Sequence, residues 1–161
     1  MSPVFVSRRV YNERISYRHF LLLCVPLLLS GFSLASAGLA TEAETYFSRG
    51  NDYYAKGLYD EAISEYSKAI LINPEYAEAY KMCGDAYYRK GLYSEAVNDY
   101  DRVTPMSSDF VIVYYNKALA LEHLGQREEA VNSYLFFVQH AASEQSIYVD
   151  IAKRRIKVLG R

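Results

Sequence analysis

The chain has 161 residues, 51% of them apolar and 23% charged, which is room for one domain with an ordinary globular composition. Its net charge of −1 hides a division: residues 1–40 carry +3, residues 41–152 carry nine basic and eighteen acidic groups, and residues 153–161 carry +5. An acidic body argues against nucleic acid as a partner, because phosphate binding needs a basic surface. Only two cysteines are present, Cys24 and Cys83, so no disulfide framework forms once the first segment is removed.

The first nineteen residues are polar and basic, with Arg8, Arg9, Arg14, Arg18 and His19. Phe20 to Ala40 then runs 21 residues without a charge, strongly apolar at first and rich in Ser, Ala and Gly at its end. A basic region, an apolar run and a small-residue exit describe a secretory signal peptide. Ala35-Ser36-Ala37 predicts cleavage before Gly38, and Gly38-Leu39-Ala40 predicts cleavage before Thr41. The run also reaches the ~20 residues that span a bilayer, so an uncleaved inner-membrane anchor stays open beside cleavage. In both cases the arginines remain cytoplasmic and the rest of the chain ends across the membrane, in the periplasm or cell envelope. Arg8-Arg9 lies far from the apolar run for twin-arginine export. Cys24 follows Leu23 rather than the small residue that a lipidated cysteine requires.

From Thr41 onward helical patterns follow, expected near 42–55, 59–72, 76–89, 93–104, 109–123 and 127–141, with Thr41 or its neighbours as the first cap. Asn73-Pro74 and Thr104-Pro105 mark breaks, because a residue before proline avoids the helical region. A last helix is expected over 144–159, its apolar face carried by Ile147, Ile151, Ile156 and Leu159. Its Lys153-Arg154-Arg155 run either offsets the helix dipole or meets anionic lipid or an acidic partner.

These helices repeat. Lys56-Gly57-Leu58-Tyr59-Asp60-Glu61-Ala62 returns as Lys90-Gly91-Leu92-Tyr93-Ser94-Glu95-Ala96, and again, worn down, as Leu124-Gly125-Gln126-Arg127-Glu128-Glu129-Ala130. The step is 34 residues, and Tyr46, Tyr80 and Tyr114 keep it, as do Tyr66, Tyr100 and Tyr134. A fixed period of this length marks a stacked helical repeat. Gly57, Gly91 and Gly125 fall where one helix stops and the chain reverses, a place for a left-handed residue. Ala62, Ala96 and Ala130 fall where the two helices of a pair cross, and the tyrosine one turn on fills the space beside them. Cys83 falls on the core side of its helix and is expected to be a buried apolar residue.

The pattern resembles the tetratricopeptide repeat (TPR) family. Counting from Ala43, the first copy has Tyr46, Gly50, Tyr53, Ala62, Tyr66, Ala69 and Pro74 at all seven family positions. The second copy has Val103 and Ser108 for the last two, and the third has Ala118 for the glycine and Leu121 for the second aromatic. The resemblance implies an all-α fold, a right-handed superhelical solenoid of antiparallel helix pairs. The domains expected are a signal peptide or anchor over 1–40, three repeats over about 43–76, 77–110 and 111–144, and a C-terminal capping helix with a basic tail. It also implies a concave groove lined by the first helix of each repeat. At the family's groove positions stand Phe47, Asn51 and Tyr54, then Lys81, Asp85, Tyr88 and Arg89, then Tyr115, Leu119 and Glu122. Of these Phe47, Tyr54, Tyr88 and Tyr115 are expected to be open to a partner.

No catalytic constellation accompanies the repeats. His19, His123 and His140 are not at metal-ligand spacing, and no cysteine pair joins them. The glycines recur every 34 residues, not within the six of a phosphate loop. No enzyme activity, cofactor or metal is expected. The partner expected is an extended or helical protein segment, with a membrane contact through the leader or the basic tail. Chaperone adaptors of this family clamp a C-terminal carboxylate with, in order, lysine, asparagine, asparagine, lysine and arginine; the matching positions here are Phe47, Asn51, Met82, Ile112 and Asn116, and only Asn51 agrees. The leading expectation is an exported scaffold or assembly factor; the alternatives are a cytoplasmic-type secretion chaperone and a membrane-docked adaptor.

Overall fold

The computed structural model describes residue 38, residues 41–104 and residues 110–160. The expected leader, but for Gly38, and the Pro105-Met106-Ser107-Ser108 connection lie outside the described residues. Thr41–Arg161 forms one compact unit. Its helices are α1 over 41–55, α2 Tyr59–Ile72, α3 Ala77–Arg89, α4 Tyr93–Val103, α5 Val111–His123, α6 Arg127–His140 and α7 Ser146–Leu159. A 3-10 turn, Ser143–Gln145, precedes α7. Among the described residues there is no strand, and no helix is long and apolar enough to cross a membrane. The expected helices are found to within two residues at each end. Thr41 is itself helical, so it is not the cap of α1.

The reversals within each pair are made by backbone geometry. Gly57, Gly91 and Gly125 have φ of 75°, 79° and 75°. The Gly57 N–H donates to the Tyr54 carbonyl at 2.9 Å, and the Leu58 N–H reaches back to the Tyr53 carbonyl at 3.0 Å. The same two bonds close α3, from Gly91 and Leu92, and α5, from Gly125 and Gln126. This double closure satisfies carbonyls that a helix end otherwise leaves bare. No side chain caps the helices that follow; Leu58, Leu92 and Gln126 stand there instead. Acids in the first turn offset the dipole: Asp60 and Glu61, Glu95, and Glu128 with Glu129.

Within each pair the crossing is tight. Ala62, Ala96 and Ala130 are fully buried, and Tyr66, Tyr100 and Tyr134 are the largest fully buried side chains after them in each second helix. A Cβ added at Gly50 would stand 2.5 Å from the Tyr66 ring, and one at Gly84 would stand 2.7 Å from the Tyr100 ring. The tyrosine rings therefore lie directly on the glycine backbone of the first helix. Burying a side chain of this size contributes about 2–3 kcal/mol.

Each helix packs on the next, and α3 also touches α5, so the pairs stack in sequence order. Ala79 and Ala86 of α3, and Val113 and Ala120 of α5, are fully buried, while the equivalent Thr45 and Asp52 of α1 are exposed. α7 packs on α6 through Val149, Ala152, Ile156 and Leu159. Ile147, expected on the buried face, is 72% exposed. The 34-residue step would have buried positions 147 and 154 of α7, but the helix buries a different stripe, with Ala152 at its centre.

Candidate functional site

The first helices of the repeats, α1, α3 and α5, carry the expected groove, and the second helices reach it through their tyrosines. The Tyr66 hydroxyl donates to Asn51 Oδ1 at 2.8 Å, and the Tyr100 hydroxyl donates to Asp85 Oδ1 at 2.8 Å. In the third repeat Leu119 occupies the equivalent acceptor position, and the Tyr134 hydroxyl turns to Glu122 Oε1 at 2.6 Å. Each core tyrosine thus ends on a groove residue, and its buried hydroxyl has a partner, as a buried polar group requires. Burial, and the adjoining carboxylates, push the Tyr100 and Tyr134 phenols far above their ordinary range.

Asp85 is the centre of the network. Besides Tyr100 it accepts from Asn116 Nδ2 at 3.0 Å and from Lys81 Nζ at 2.8 Å. Asn116 comes from the third repeat, so Asp85 ties α5 to α3. Glu122 is bound in the same way from the other side, by Arg155 of α7, whose Nε donates to Oε1 at 2.9 Å. Burial works to raise the Glu122 carboxyl, but the Arg155 and Tyr134 hydrogen bonds outweigh it and hold the group below its ordinary value.

Between these ties lies a pocket of about 230 Å³ lined by Tyr54, Asp85, Tyr88, Arg89, Tyr100, Asn116 and Leu119. Five of the expected groove residues meet there: Tyr54, Asp85, Tyr88, Arg89 and Leu119. Tyr54 leans edge-on against Tyr59 at 5.4 Å, and Tyr88 stands likewise against Tyr93 at 5.4 Å. His123 stacks on Tyr93 at 4.3 Å and meets the Tyr88 hydroxyl through Nε2 at 3.2 Å. Burial raises the Tyr54 and Tyr88 phenols, which keeps both protonated as hydrogen-bond donors. Arg89 Nε donates to the Tyr59 hydroxyl at 3.2 Å, and among the described residues Arg89 makes no ion pair.

The other expected residues are placed differently. Phe47 is half-buried, 5.7 Å from Tyr66 and 5.0 Å from Tyr76. The Lys81 charge is spent on Asp85. Tyr115 is a correction: it is 7% exposed, covered by Tyr134, Phe137 and Tyr148, and belongs to the core rather than to the open groove. Tyr148, from α7, makes the difference. Asn116, which stands at one of the family's clamp positions, also lines the pocket, and Tyr100 is a groove residue that the repeat positions did not indicate. The signal for Tyr100 was a tyrosine, not phenylalanine, at the aromatic position of all three second helices.

The pocket offers guanidinium and phenol donors, aromatic faces and one acid already satisfied. Among the described residues no group of three or more His, Cys, Asp or Glu could hold a metal ion. Cys83 is buried, and burial and Asp99 push its thiol up, away from reactivity.

Residues 50–91 and 84–125 match the family model described as TPR repeat. Similar solved structures include the TPR domain of Arabidopsis OM64, at 20% identity over 74% of this chain and 97% of that chain, with a TM-score of 0.68. The TPR2B domain of yeast Sti1, solved as a complex with pHsp70, aligns at 21% identity over 73% of this chain and 97% of that chain, TM-score 0.69. The Yersinia enterocolitica type III secretion chaperone SycD, solved with a peptide of the translocator YopD, aligns at 16% identity over 73% and 91%, TM-score 0.69. At such identities the likeness is one of fold. No curated protein sequence matches the chain.

Proposed function

We propose that this member of the tetratricopeptide-repeat family is an exported protein-binding scaffold that grips a segment of a partner protein at the Tyr54–Tyr88–Arg89 pocket. The observation that carries the reading is the pocket itself. Two protonated phenols and a guanidinium that makes no ion pair among the described residues converge on about 230 Å³, room for one partner side chain. Tyrosine and arginine are the residues that dominate interface hot spots. Several neighbours in fold were solved with peptides, among them the Sti1 and SycD domains above and a TPR domain of RPAP3 bound to the HSP90 peptide SRMEEVD. Phe47, Ile112 and Asn116 stand here where the family's carboxylate clamp has its cations, and Met82 where it has its second asparagine, so the partner is not held by its C-terminal carboxylate. Binding, not catalysis, is the activity.

A photoreactive side chain at Tyr88, in the full-length chain expressed in its own cell, tests this. It captures a protein that the same group at Leu71, 83% exposed at the end of α2, does not. In titrations against that protein, Tyr54→Ala or Arg89→Ala then weakens binding by about 2 kcal/mol, roughly thirtyfold. Equal capture at both positions, or full affinity in a folded Tyr54→Ala/Arg89→Ala variant, moves the site away from the pocket.

A further inference from the structure

The two ends of the repeat stack are finished differently. At the first end, the outward positions of α1 are polar, with Thr45, Ser48 and Asp52 exposed. At the last end, the outward face of α7 is apolar and basic. Ile147, Arg154 and Val158 recur at i, i+7 and i+11, away from the buried stripe of Val149, Ala152, Ile156 and Leu159. Ile147 and Val158 are 72% and 64% exposed, while Ile151 between them is half-buried and packs against the core. Lys153, Arg154 and Lys157 are exposed and make no ion pair among the described residues, whereas Arg155 turns inward to Glu122. Asp150 is the single acid of the helix.

We propose that this face of α7 docks on an anionic lipid surface. Exposed aliphatic side chains framed by cations on one face of a helix are the requirement for lying in the headgroup layer. Each lysine or arginine brought to an anionic leaflet strengthens binding about fivefold. The charge of the chain selects this face: residues 41–152 carry nine basic and eighteen acidic groups, so the body is repelled by an anionic surface while the α7 end is drawn to it. The same asymmetry disfavours two copies meeting α7 to α7, because that pairing brings like charges together. This proposal stands independently of the groove.

The chain contains no tryptophan, so Val158→Trp gives the full-length protein a single reporter on the docking face. In vesicles of phosphatidylcholine with phosphatidylglycerol, its emission shifts to shorter wavelength and is quenched by brominated acyl chains. In phosphatidylcholine alone it stays at the solvent wavelength, whatever the leader does. A Leu71→Trp reporter remains in solvent in both. Adding Lys153→Gln, Arg154→Gln and Lys157→Gln to the Val158→Trp chain weakens the phosphatidylglycerol-dependent shift by roughly a hundredfold in lipid concentration. The melting temperature, unchanged, shows that the repeat body is intact. Equal shifts in both vesicle types, or none in either, overturn the proposal. A shift without lipid, with a dimer in sedimentation, assigns the face to a second copy and also overturns it.

Discussion

Glycine serves two unrelated purposes in this chain, and substitution separates them. Nothing stands within 4 Å of a Cβ built at Gly57, Gly91 or Gly125, so space is not the reason for glycine there; positive φ is. At Gly50 and Gly84 the dihedrals are ordinary and the space is missing, because Tyr66 or Tyr100 lies against the backbone. Gly57→Ala is therefore expected to cost about 1–2 kcal/mol, the left-handed penalty of an L-residue. Gly84→Ala is expected to cost about 1–3 kcal/mol by overpacking. Thermal melts of double variants distinguish the causes: Tyr100→Leu lessens the cost of Gly84→Ala and leaves that of Gly57→Ala untouched. If Tyr100→Leu relieves both or neither, the division is wrong. The turn glycines were legible in the sequence because a cap is a local device, fixed by five or six adjacent residues. The contact at Gly50 and Gly84 joins residues sixteen apart on two helices, and only the geometry shows it.

At the scale of the element, what holds a pair together also sets the polarity of the groove. The core tyrosine of each second helix donates through the packing to Asn51, Asp85 or Glu122 of the first. In the third pair this has a pH signature. The Glu122 carboxyl is held below its ordinary value of 4.5, so its contribution to stability is complete above that value and is lost as pH falls through the lowered one. Glu122→Gln is expected to lower the melting temperature at neutral pH and to flatten the acid limb of its pH profile. Arg155→Gln flattens the same limb while leaving Tyr134 its acceptor. An unchanged acid limb in Glu122→Gln would assign the loss to other carboxylates. The first-helix side of this arrangement follows the repeat positions, but the acceptor slides from the position of Asn51 and Asp85 to that of Glu122 because Leu119 offers no oxygen. The burial of Tyr115 depends on α7, whose Tyr148 covers it. The sequence indicated that a capping helix exists but not which of its apolar residues are buried, since the exposed Ile147 and Val158 are as apolar as Val149 and Ile156. Tyr115 was expected in the open groove for that reason.

At the scale of the whole chain, the fold was legible because one 34-residue interval recurs from α1 through α6. Location rests on the first forty residues. Export predicts that protease added to cells with a permeabilised outer layer digests the repeats. It also predicts a mature N-terminus at Gly38 or Thr41 if the leader is cleaved. A full-length, soluble cytoplasmic protein would remove export and favour the secretion-chaperone reading.

The outer face of α7 also limits how far the stack can grow. A 34-residue unit copied from 77–110 and inserted before Val111 meets matching surfaces on both sides, Val103-like below and Val113-like above. Stability in such stacks is a sum over units and their neighbours, so the longer chain is expected to melt at a higher temperature and to carry a second copy of the tyrosine–arginine pocket. The same unit attached after Leu159 meets Ile147 and Arg154 where Val113 and Ala120 stand in α5, and has nothing to dock on. A unit of this kind therefore adds stability between α4 and α5 and none against the outer face of α7.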